Sequence, residues 1–222
     1  MLFIANGTLY PMAGGKERVE RGCIAVEDGK ILQAGAGFSY EDICTALHRP
    51  EGAREKDTYI DAGGNWVMPG IIESHCHMGI TEEKKGMEGD DCNEMVDPIT
   101  PQLRAIDAIN SMDAAFDDAV RAGITSAMIG PGSSNVVGGQ FAFVKTKGRR
   151  IDDLIVRAPA AMKVAFGENP KVNYGDQDKS PSTRMAIAAM LREELTCARA
   201  YQRKKNQAGD DFEEDFHYEA WL

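Results

Sequence analysis

Met68-Pro69-Gly70-Ile71-Ile72-Glu73-Ser74-His75-Cys76-His77-Met78-Gly79 is the stretch on which the reading of the fold turns. It joins a Pro-Gly entry to a short apolar run that ends in two histidines two residues apart. Strand side chains alternate with period 2, so His75 and His77 share one face and Cys76 points to the other. At the C-terminal end of a parallel strand such a pair opens onto a common mouth, and two neutral imidazoles there can share one metal ion.

Downstream, apolar strand-like runs alternate with helical stretches, the pattern of βα units on a parallel sheet. Asp113 can cap a helix through Arg121, with Gly123 as its stop. The runs Ile124–Ile129, Gln140–Thr146 and Ala160–Phe166 read as further buried strands. Ser180-Pro181 reads as the cap and first residue of a long helix whose stripe is Ile187, Met190, Leu191, Leu195, Ala198 and Tyr201. Upstream, residues 1–66 read as the N-terminal part of a small β-sandwich module, with strands at Leu2–Ala5, Cys23–Val26, Ile31–Ala34 and Tyr59–Asp61. The Asp28-Gly29 pair marks a hairpin. The stretch from Phe38 to Lys56 is mixed and charged, without a clear element.

The 222 residues carry 25 Lys+Arg against 35 Asp+Glu, a net charge of -10, which argues against nucleic acid and anionic membrane surfaces as partners. No apolar run approaches the length of a membrane span, and the start lacks a secretory pattern, so the expectation is a cytoplasmic protein. The five cysteines are scattered without a C-x-x-C pair and read as reduced thiols. Asn6-Gly7-Thr8 reads as a turn. Residues 208–222 hold six acids and no Lys or Arg, and read as a solvated or disordered tail.

The histidine segment and its setting resemble the amidohydrolase superfamily, in which a P-G-x-I-D-x-H-x-H segment lies on the first strand of a (β/α)8 barrel and binds metal. Glu73 stands where the family usually has Asp. The runs Gly132–Gln140 and Met162–Lys171 are similar to the imidazolonepropionase-related branch. The resemblance implies an α/β fold with an incomplete TIM-like barrel over residues 67–222, about the first four βα units. It also implies a divalent cofactor, zinc above all, as one or two ions held by His75 and His77. Binuclear members add an anionic bridge from the end of the fourth strand. Lys163 lies within an apolar run, and Glu168 lies just past the Gly167 break at the strand's end, so position favours Glu168.

The run Gly130-Pro131-Gly132-Ser133-Ser134-Asn135-Val136-Val137-Gly138-Gly139-Gln140 matches no complete phosphate-binding pattern and reads as a loop over the mouth, with Asn135 and Gln140 as candidate substrate contacts. His48 and His217 stand alone and read as packing or surface residues, and Glu193-Glu194 as a solvated helix face. Residues 67–222 fall short of the roughly 250 of a complete barrel. The resemblance places two more histidine ligands and a general-base aspartate in the part not present, so the chain reads as an N-terminal fragment, a truncated product or a split subunit. Two functions follow. One is a metal-dependent hydrolase of C–N bonds in a small cyclic amide, peptide-like amide or imine; the other is a non-catalytic partial barrel that acts by pairing with itself or with a complementary C-terminal chain.

Overall fold

The computed structural model describes residues 1–15, 18–208 and 212–222. The chain divides into two compact units, Met1–Pro69 and Gly70–Leu222.

The first unit is one mixed sheet backed by a helix. Strands β1 (Leu2–Leu9), β2 (Val19–Glu27) and β3 (Lys30–Gly35) form an antiparallel meander. Asp28 and Gly29 turn the β2–β3 hairpin with φ of 49° and 74°, the positive values a two-residue turn of this hand requires. The charged stretch that showed no element in the sequence forms α1 (Tyr40–Ala46) and the single-turn α2 (Glu51–Arg54). Ser39 opens α1 with a reciprocal cap: its hydroxyl accepts from Asp42 N, and the Asp42 carboxylate accepts from Ser39 N at 2.7 Å. Strands β4 (Thr58–Asp61) and β5 (Trp66–Val67) then pair parallel to β1, which is why Trp66 and Val67 belong to this unit. Phe3, Ala5, Ala25 and Ile43 form its core.

Asp57 ties this unit together. Its Oδ1 accepts from the Met1 amine and from Arg49, both at 2.7 Å, and its Oδ2 accepts from the Tyr40 hydroxyl at 2.9 Å. Burial pushes this carboxyl up, but the bonds from the Met1 amine and Tyr40 and the charge of Arg49 outweigh it, leaving the pKa below the usual carboxylate range. A depressed carboxyl stabilises the folded state above its unfolded pKa, and that contribution is lost as the pH falls through the folded value.

In the second unit, β6 (Ile71–Cys76) leads through a long excursion to α3 (Ala114–Arg121) and β7 (Ile124–Ile129), and β6 and β7 pair in parallel. The helix bounds are those the sequence predicts. Asp113 caps α3 by accepting from Ala115 N at 2.7 Å, and Gly123 stops it at φ 83°. β8 (Val137–Lys145) then runs antiparallel to β7, and after the single-turn α4 (Ile151–Leu154), β9 (Ile155–Val164) runs antiparallel to β8. The expected run of parallel βα units is therefore corrected to one parallel step followed by two antiparallel ones, in the order β6-β7-β8-β9. The reason lies in the connections. A parallel return needs a crossover of about a dozen residues or more, and residues 130–136 and 146–154 allow only reversals. The strands are also less buried than their composition suggests: Ile72 on the edge strand β6 is 61% exposed. The main core gathers Ile80, Ile109, Phe116, Ile129, Val144 and Leu154 between the sheet and the excursion.

Helices α5 (Glu168–Gly175) and α6 (Arg184–Gln207) follow. Thr183, rather than Ser180, caps α6, its hydroxyl accepting from Ala186 N at 3.1 Å. Ile187, Ala198 and Tyr201 are its buried positions, while Leu195 is exposed. Beyond α6 the predicted solvated tail is corrected for residues 212–222, which fold back as α7 (Phe216–Glu219). Its acids find partners on α6: Lys205 meets Glu214 and Glu219 at 2.6 Å, and Tyr201 donates to Glu219. Glu194 accepts from Trp221 at 2.8 Å and pairs with His217 at 2.6 Å, so it is not a solvated face. Composition alone could not show these partners. Asp210 and Asp211 lie outside the described residues. Among the described residues no helix is long and apolar enough to cross a membrane.

Replacing Asp113 by Ala strands the amides of Ala115 and Glu83, both bound at 2.7 Å, and is expected to cost about 2 kcal/mol in urea unfolding, with Asp113→Asn recovering part of it. In acid titration, Asp57→Asn is expected to flatten the loss of stability below the usual carboxylate range, because the group whose protonation drives that loss is gone.

Candidate metal centre

Two strand ends and a loop converge at the C-terminal edge of β6. His75 and His77 are brought together as the spacing implies, with ring centroids 5.1 Å apart and planes at 82°. Cys76 turns the other way, its sulfur 3.7 Å from the Met128 carbonyl, and burial raises its thiol pKa. Glu73 accepts from the backbone N–H of His75 at 3.1 Å and so braces the strand's last turn.

The two histidines are held differently. His77 Nδ1 lies 2.7 Å from the Gly130 carbonyl oxygen. A carbonyl only accepts, so Nδ1 is the donor, and in the neutral ring Nε2 then keeps its lone pair for a ligand. His75 Nε2 lies 3.3 Å from Lys163 Nζ, the tip of a side chain rooted in β9. Burial lowers the Lys163 pKa, opposed by the nearby Cys92 thiol. The Phe141 ring of β8 sits 5.6 Å from the His75 ring, and Lys163 Nζ lies 6.0 Å from its centre.

Of the two residues weighed as the anionic bridge, Lys163 is thus the one the fold brings to His75. Glu168 is exposed on the first turn of α5. Asn135 is 1% exposed and committed inward, donating to the Asp97 carbonyl at 2.7 Å and to the Tyr174 hydroxyl at 3.3 Å. Gln140 is half-buried beside Phe141, in register with Met162, and borders a small cavity with Arg104 and Pro159. The amides of the glycine run are used by the preceding excursion: Gly132 N donates to Cys92 O at 2.7 Å and Ser134 N to the Asn93 side chain at 3.0 Å. That leaves no phosphate cradle. Among the described residues, no three His, Cys, Asp or Glu side chains converge on one ion position.

The sequence reading missed Phe141, the Gly130 carbonyl and Cys92. Gly130 carried a visible signal as a glycine at a strand end, whereas a phenylalanine in a strand and a lone thiol carry none.

No protein-family model matches the chain. It is 30% identical to amidohydrolase tasK of Hapsidospora irregularis over 93% of its own length and 22% of that protein's. It is 39% identical over 36% of its length to a 5-methylthioadenosine/S-adenosylhomocysteine deaminase of Symbiobacterium thermophilum. Among solved structures, an amidohydrolase from Thermotoga maritima matches 99% of the chain with a TM-score of 0.87 and 33% identity. The chain spans 54% of that structure and smaller shares of the two curated relatives. The resemblance to amidohydrolases read from the histidine segment is thus shared by relatives in sequence and in fold; these findings reach the superfamily, not the imidazolonepropionase-related branch.

Asn135→Ala, which removes the donor to the Asp97 carbonyl and to the buried Tyr174 hydroxyl, is expected to lower stability in denaturant unfolding by about 1–3 kcal/mol.

Proposed function

We propose that this chain supplies the His75–His77 pair of a metal-dependent hydrolase that cleaves C–N bonds in small molecules. The observation that carries the reading is the pair His75–His77, ring centres 5.1 Å apart at a strand's C-terminal end, with Lys163 Nζ 3.3 Å from His75 Nε2. The named amidohydrolase and deaminase relatives support the bond type, because both names describe hydrolysis at a carbon–nitrogen bond.

The donor set fits a divalent ion such as zinc: two imidazoles, one with its Nε2 freed by the Gly130 bond. His75 and His77 would hold the ion. Bound there, it would supply Lewis acidity for polarising the bond to be cleaved and for activating water at neutral pH. What supports Lys163 over Glu168 as the third group is its position beside His75. Addition of carbon dioxide to its nitrogen, with loss of one proton, forms a carbamate whose oxygens are anionic donors. In this reading β6 and β9, the two edges of the sheet, continue into further strands of a barrel.

Elemental analysis of the whole protein tests this. Wild type is expected to hold stoichiometric zinc or an equivalent ion. His75→Ala with His77→Ala is expected to lose it and to lower amide hydrolysis or deamination by more than about 100-fold. Lys163→Ala is expected to lose metal and Glu168→Ala to keep it; metal retained in the double histidine variant would overturn the reading.

A further inference from the structure

The glycine run that joins β7 to β8 is not explained by substrate or phosphate binding, and its packing points to another role. A Cβ placed on Gly130 would lie 2.3–2.5 Å from three atoms of the Phe141 ring, closer than any real contact. The ring therefore packs against Gly130 in the space a Cβ would fill, which only glycine leaves open. That backbone is the one whose carbonyl accepts from His77 Nδ1 at 2.7 Å. The same Phe141 ring lies 5.6 Å from the ring of His75, so one side chain neighbours the settings of both histidines. Phe141 is 6% exposed and set in the middle of β8, paired with Ala161 of β9. Gly138 continues the pattern, since a Cβ there would meet the Lys163 stem at 3.3 Å.

We infer that Phe141 is a positioning residue for the metal centre: seated on Gly130, it fixes the carbonyl that orients His77, and with its ring it limits the rotation of His75. The inference rests on the metal-site reading above and adds a residue that touches neither ion nor substrate. Groups that orient metal-binding histidines in this way typically change metal affinity by about 10–100-fold when removed. A ring packed only for stability would leave both metal affinity and the His77 proton position unchanged on conservative replacement.

The test uses the whole protein, with zinc alone as the probe, titrated in competition with a chelating indicator. Phe141→Leu keeps apolar volume but removes the flat ring, and Gly130→Ala puts a methyl group where the ring sits. Both are expected to bind zinc about 10–100-fold more weakly, while His75→Ala removes binding altogether. In the metal-free protein, ¹⁵N spectra are expected to show His77 protonated on Nδ1 in wild type and a mixture of tautomers in Phe141→Leu. If Gly130→Ala fails to fold, Phe141→Leu alone decides. Wild-type zinc affinity and an unchanged His77 spectrum in Phe141→Leu, with binding still lost in His75→Ala, would overturn the positioning role and leave the metal site standing. Zinc binding that survives His75→Ala would overturn both.

Discussion

The site depends on how β6 and β7 end together. Gly130 follows β7 directly, its N–H donates to the Cys76 carbonyl at 3.2 Å, and its own carbonyl accepts from His77 Nδ1 at 2.7 Å. The parallel pair thus extends past its last regular rung, and the extension is made by a side chain. A backbone carbonyl is a fixed acceptor, so it sets both the ring orientation and the tautomer of His77 without a further side chain. Moving β6 by one residue against β7 would turn both histidines to the opposite face, because strand side chains alternate with period 2.

The antiparallel return of β8 has a chemical consequence. Because β8 runs back, its first residues, Val137–Gly139, lie level with the last residues of β9, where Gly139 is in register with Lys163. The glycine run is therefore beside the histidines and the lysine at once, and its lack of side chains makes room for Phe141 and for the Lys163 stem. Lys163 reaches His75 from within the strand. A carboxylate at the same position would be too short to do so, whereas four methylenes carry an amine to the edge.

Much of this was legible in the sequence. The His-x-His spacing, the Asp113 and Gly123 bounds of α3 and the Asp28-Gly29 hairpin are local signals, and local chemistry settles them. Strand direction was not legible, because β8 and β9 begin at Val137 and Ile155, earlier than their apolar runs suggest, and only those earlier starts make the connections too short for a crossover. Other features depend on distant partners and left no local trace. The tail acids fold back because Lys205 and Tyr201 wait on α6, and Asn135 turns inward because its amide meets the Asp97 carbonyl and the buried Tyr174 hydroxyl. Ranking Glu168 above Lys163 weighed position along the strand, not the reach of a side chain.

The central claim is that His75 and His77 together hold a divalent ion. Anomalous diffraction at the zinc absorption edge, from crystals of the whole protein grown with zinc, tests it most directly. The expected result is a peak about 2.0–2.1 Å from a ring nitrogen of each histidine, with His77 bound through Nε2. A protein that takes up zinc only at other side chains, with both imidazoles unligated and His77 still donating to Gly130, would contradict the account.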